Sequence, residues 1–146
     1  MFKNILLPTD GSDLAVKATE TAVRFAQVHG ARIVAICVAQ PFPFVPMAEG
    51  GAVVPDAEVF ETQITTAAQA NINKVATACA AAGVPFEGIV SNSHTPYKDI
   101  VDAADKHNCD IILMASHGRG GLSKLLLGSE TQKVLAHTTL PVLVLR

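Results

Sequence analysis

Residues 32–38 read RIVAICV, apolar at nearly every position. A strand buried on one face alternates apolar with polar residues. A strand buried on both faces does not, and such strands belong to parallel sheets covered by helices on each side. Residues 110–115, DIILMA, and 140–145, LPVLVL, repeat the pattern. Residues 2–7 form a compact apolar run of the same kind, and residues 85–91 a weaker one. Longer segments with helical spacing lie between these runs. In residues 12–29, Ala15, Ala18, Ala22, Phe25 and Ala26 share one face. Ser12 can cap that helix, Asp13 suits its positive end, and Gly30 can close it. In residues 57–82, Phe60, Ile64, Ala68, Ile72, Val75 and Cys79 form a stripe that stops at Gly83. Thr95 and Pro96 have the grammar of a cap and a first helical residue, and residues 129–137 make a further short helix. Ser129 and Gln132 have the spacing of a capping box.

This alternation, closing on a strand, predicts an α/β domain: a five-stranded, mostly parallel sheet in a three-layer sandwich. Right-handed crossovers put helices on both faces. A chain of 146 residues suits a single domain with an adequate core. Residues 40–55 break the pattern with Pro41, Pro43, Pro46, Pro55, Gly50 and Gly51, and are expected to form a lid, a contact surface or a mobile loop. With 11 Lys+Arg against 13 Asp+Glu there is no broad positive field, so nucleic acid is not an expected partner. No run approaches the ~20 apolar residues that span a bilayer. The short apolar run before Pro8 is not a signal-peptide core, so a cytoplasmic protein is expected. Cys37, Cys79 and Cys109 are widely spaced among apolar neighbours and read as small buried hydrophobes. The histidines have no ligand spacing on one face; His29, His107 and His137 fall near helix C-termini.

In such sheets ligands bind beyond the carboxyl ends of the strands. That rule selects the loops after Leu7, Val38 and Ala115. The first reads Pro8-Thr9-Asp10-Gly11-Ser12-Asp13, and the last Ser116-His117-Gly118-Arg119-Gly120-Gly121. Gly128-Ser129 then opens a helix. A helix start favours anions, and glycines there admit a polyphosphate without a Cβ in the way. Arg119 and Lys124 can add positive charge. Asp10 can accept from a ribose hydroxyl or hold a metal ion. A P-loop is absent, because Ser123 stands where glycine is required, and no GxGxxG follows the first strand. Residues 91–93, Ser-Asn-Ser, lack the aspartate of a phospho-receiver domain.

From ILLPTDGSD to PVLVLR the chain resembles the universal stress protein family. The family motif is Gly, two residues, Gly, nine residues, Gly, then Ser or Thr. Here Ala115 replaces the first glycine, Gly118 follows two residues later, and nine residues separate it from Gly128-Ser129. The resemblance implies a Rossmann-like fold with strand order 3-2-1-4-5 and an adenine-nucleotide site. Pro8, Thr9 and Asp10 would line adenine and ribose, with Val38 beside the base and Met114 and Ala115 on the base and ribose side. Gly118, Arg119, Gly128, Ser129, Glu130 and Thr131 would lie around the phosphates. His117, inside the glycine motif, is expected to have a structural or binding role rather than a catalytic one. ATP is the implied ligand, with AMP and cyclic AMP sharing its adenine half and Mg²⁺ as a companion. A carboxylate at Glu130 would repel a triphosphate unless it points away or holds a metal. The resemblance further implies a homodimer through residues 140–145, a strand expected at one sheet edge. No catalytic residue is assigned, since nothing resembles an arranged general base or arginine finger. A rival expectation, motivated by Ala115 and Glu130, is a dimeric interaction module that binds no nucleotide.

Overall fold

The computed structural model describes residues 1–41, 56–118 and 126–146. Five strands, β1 (Asn4–Pro8), β2 (Arg32–Ala39), β3 (Phe86–Asn92), β4 (Ile111–Ala115) and β5 (Val142–Leu145), form one parallel sheet in the order β3-β2-β1-β4-β5. Four helices connect them: α1 (Asp13–His29), α2 (Ala57–Ala81), α3 (Pro96–Lys106) and α4 (Ser129–His137).

The two-residue period of the strands sorts their side chains between two cores. Ile5, Leu7, Ile33, Ala35, Cys37 and Leu113 pack with Ala22, Val23 and Ala26 of α1 and with Ala68, Ile72, Val75 and Cys79 of α2. Leu6, Val34, Ile36, Ile112 and Met114 pack with Ile100, Ala103 and Ala104 of α3 and Val134 of α4. The expected three layers follow directly. Each fully buried Leu or Ile contributes about 1.5–3 kcal/mol, so this double burial is the main hold on the sheet. All three cysteines are buried, as their neighbours indicated, and none forms a disulfide. Burial raises the thiols of Cys79 and Cys109, each to about 11.

Helix ends are where local grammar and structure part. Ser12 does accept from the Ala15 N–H, and Gly30 does close α1 in the left-handed region. Thr95, however, makes no side-chain cap to α3. The capping box at Ser129 is also one residue out of register. Gly128 is the N-cap of α4, Ser129 is its first helical residue, and Gln132 Nε2 donates to the Leu127 carbonyl instead. Strand limits move slightly: β1 starts at Asn4 and includes Pro8, β3 runs to Asn92, and β5 starts at Val142 rather than Leu140. The expected loop at 40–55 lies almost wholly outside the described residues.

The sheet order reverses at β1, whose onward crossovers go to β2 on one side while β4 lies on the other. The β1–β4 ladder pairs Ile5 with Ile111 and Leu6 with Ile112, stopping short of the carboxyl ends of both strands. Pro8 has no N–H with which to extend it. The floor of the site begins there.

Candidate functional site

A cavity of about 550 Å³ opens over the carboxyl ends of β1, β2 and β4. That lies within the range of roughly 300–1,000 Å³ typical of small-ligand sites. One part of its wall is apolar: Pro8, Ile36, Val38 and Met114 from the strands, Ile64, Ala67 and Ala68 from α2, and Pro96 and Ile100 from α3. The other part is polar, with Thr9, Asp10, Asn71, His117, Ser129 and Glu130. Gly118, Gly128, Ala115 and Thr131 also line it. Twelve of the thirteen residues expected from the sequence therefore meet at one cavity: Pro8, Thr9, Asp10, Val38, Met114, Ala115, His117, Gly118, Gly128, Ser129, Glu130 and Thr131. The thirteenth, Arg119, lies outside the described residues, as does Lys124.

The loop after β1 is held by its own side chains. Gly11 N–H donates to Thr9 Oγ1 at 3.3 Å, and Ser12 N–H to Asp10 Oδ1 at 3.0 Å. Asn71 of α2 clasps the loop from outside: its Nδ2 donates to the Asp10 carbonyl at 3.2 Å. Gly11 has φ +74°, and a Cβ there would stand 2.1 Å from Asn71 Oδ1. Asn71, only 7% exposed, escaped the sequence reading. Its signal was present, since it stands between Ala68 and Val75 at core spacing where an apolar residue is expected. A buried amide there needs a partner, and that partner proves to be the site loop.

The loop after β4 brings three features together. Gly118 faces Asp10; a Cβ there would lie 2.7 Å from Asp10 Oδ2. Gly128 faces the strand end; a Cβ there would lie 3.1 Å from the Ser116 carbonyl oxygen and 3.3 Å from His117 Cα. A side chain at 118 would displace the Asp10 carboxylate, and one at 128 would crowd the strand-end backbone. Position 115 is different, because Asn108 is the one non-glycine with positive φ among the described residues. Ala115 therefore occupies ordinary strand backbone without strain. His117 shares a 2.9 Å hydrogen bond between Nδ1 and Ser116 Oγ, and its Nε2 is buried without a partner. Among the described residues no side chain caps α4, which suits the N–H groups of its first turn to an incoming acceptor.

Two expected phosphate-side residues are already engaged. Thr131 Oγ1 lies 3.2 Å from the Ala115 and Ser116 carbonyl oxygens, to which it donates, so its hydroxyl braces α4 on β4 instead of facing a ligand. Glu130 turns toward α3: Oε2 accepts from the Tyr97 N–H at 2.8 Å, and Oε1 from Lys133 Nζ at 2.8 Å. Lys133 is held above its usual value first by that hydrogen bond and then by the carboxylate charge. No group of three or more His, Cys, Asp or Glu side chains among the described residues is placed to hold a metal ion.

The model of the universal stress protein family matches residues 1–146. The chain belongs to this family. A universal stress protein of Thermus aquaticus, named for its place in the QAH/OAS sulfhydrylase 3′ region, is 37% identical over the full length of both chains. The solved structure of MJ0577, a universal stress protein of Methanocaldococcus jannaschii, superposes with a TM-score of 0.81 at 27% identity, covering 99% of this chain and 96% of that one. A universal stress protein from Archaeoglobus fulgidus, solved in complex with dAMP, superposes with a TM-score of 0.66 at 18% identity, covering 100% and 98%. The strand order matches the fold of these universal stress proteins. No helix among the described residues is long and apolar enough to cross a membrane.

Proposed function

We propose that this chain binds an adenine nucleotide, ATP in the first instance, in the cavity at the carboxyl end of the sheet. The observation that carries the reading is the pairing of two unlike halves in one cavity. One half is apolar, with Val38 and Met114 from the strands and Ile64, Ala67 and Ala68 from α2, suited to a flat base. The other is a glycine-bounded helix start with an unpartnered His117 Nε2, suited to an anion. Asp10, between them, is placed to accept from a ribose hydroxyl. The Archaeoglobus protein, which shares the fold, is solved with dAMP, and that supports the adenine class. Should Mg²⁺ accompany the phosphates, Asp10 is the cavity-lining carboxylate proposed to meet it.

We further propose a cytoplasmic homodimer formed through β5, with nucleotide setting its regulatory state. β5 is an edge strand, and Leu143 on it is 36% exposed. Such an edge is a template for pairing. No residue is assigned a catalytic role. The rival reading, an interaction module without nucleotide, drew on Ala115 and Glu130. Ala115 sits without strain, and the Glu130 carboxylate is turned to Tyr97, so neither supports it here. Native mass spectrometry of gently purified protein, followed by calorimetric titration with ATP, tests the proposal. One-to-one binding tighter than millimolar is expected. No heat at millimolar ATP together with no co-purified nucleotide refutes it.

A further inference from the structure

Glu130 is the second residue of α4, at the helix end where a ligand phosphate would sit. A carboxylate there suits the helix dipole for the reason an anion does. Its two oxygens are both held. Oε2 accepts from the N–H of Tyr97, the second residue of α3, whose own Thr95 offers no cap. Oε1 accepts from Lys133, whose ammonium lies 5.6 Å from the centre of the Tyr97 ring. Tyr97 in turn stacks on His137 at 4.8 Å between ring centroids. One side chain thus takes the Tyr97 N–H at the α3 start and the ammonium of Lys133, and it does so while lining the cavity.

We infer that Glu130 is a specificity residue: it flattens the discrimination between adenine nucleotides that carry one phosphate and those that carry three. This rests on the nucleotide reading above. Glu130 already takes the Tyr97 N–H at the α3 start and the Lys133 ammonium, so neither is left to meet an added phosphate. The consequence is a site that gains little from a longer phosphate chain.

The test compares ATP, AMP and adenosine by calorimetry on the full chain at low salt. E130Q keeps an oxygen to accept from the Tyr97 N–H but removes the charge. The ATP-to-AMP affinity ratio is expected to rise by about threefold to tenfold, and the rise is expected to shrink in 0.5 M salt, where the Debye length falls to about 4 Å. K133Q leaves the Glu130 charge uncompensated and is expected to move the ratio the other way. A ratio unmoved in both variants, or moved alike in both, overturns the inference and leaves Glu130 as a brace between α3 and α4. If none of the three ligands binds the unaltered protein at millimolar concentration, the nucleotide reading itself fails and takes this inference with it.

Discussion

The two ends of the one sheet are built in opposite ways. At the amino end, side chains tie the strands together. Arg32, which opens β2, donates to Asn4 Oδ1 of β1 at 2.8 Å, to Glu87 Oε2 of β3 at 3.1 Å and to the His107 carbonyl at 2.9 Å. Asp110 accepts from the N–H groups of Lys3 and Asn4, at 2.7 and 3.2 Å. Asn4 Nδ2 donates to the Asn108 carbonyl at 2.8 Å, and His107 Nδ1 lies 3.1 Å from Glu87 Oε1. At the carboxyl end the β1–β4 ladder stops early, and among the described residues α4 starts without a side-chain cap and the buried His117 Nε2 has no partner; a cavity opens there. Closure at one end lets the other stay open without loss of register. Unsatisfied groups are costly to bury, and they are gathered at the end where a ligand can satisfy them.

Substitution can break this division. Gly118→Val pushes a branched side chain at Asp10 Oδ2 and into the cavity. We expect ATP affinity to fall by at least about tenfold, roughly 1.4 kcal/mol, with little change in Tm. Calorimetry and thermal melting read the two quantities separately. Arg32→Ala should do the reverse. Its ion pair with Glu87 is well exposed, at 38% and 42% of the two side chains, and is worth little. The bonds to Asn4 and His107 carry most of the effect, about 1–2 kcal/mol of stability. Chemical denaturation should show that loss with ATP affinity unchanged; a large loss of affinity would mean the ends are not independent.

The long edges add a smaller contrast. Leu143→Lys should shift the proposed dimer toward monomer in sedimentation while sparing nucleotide binding, because charge on an edge strand opposes pairing. The last expected effect is confined to alkaline pH. The folded thiols of Cys79 and Cys109 are raised to about 11, above ordinary thiols near 9. The unfolded chain therefore releases protons first as pH rises. Stability from these groups is complete below about pH 9 and declines toward pH 11. Denaturation midpoints between pH 8 and 11 check this, and a thiol reagent at pH 8 should label neither residue until the protein unfolds.

The sequence made some of this legible and hid the rest. β2 and β4 were plain because burial on both faces removes every polar residue from a strand. β3 was less so because its residues are only partly buried, and its limits drifted accordingly. The glycine spacing and the Thr-Asp loop located the cavity. The α2 wall was hidden, since a helical stripe says that a face is buried but not against what. Ile64, Ala67 and Asn71 join the site only through the packing of α2 on β2 and β3. The caps at Thr95 and Ser129 failed for a related reason. Local grammar proposed a near partner, while the α3 start is satisfied by Glu130, more than thirty residues away.

A nitrogen–proton correlation spectrum of the full chain, titrated with ATP, locates the binding surface residue by residue. Saturable shifts are expected at the amides of Ala39, Gly118, Ser129 and Glu130, with those of Arg32, Asn108 and Asp110 still. An unchanged spectrum at millimolar ATP, or shifts centred on the amino end of the sheet, would contradict the proposed site.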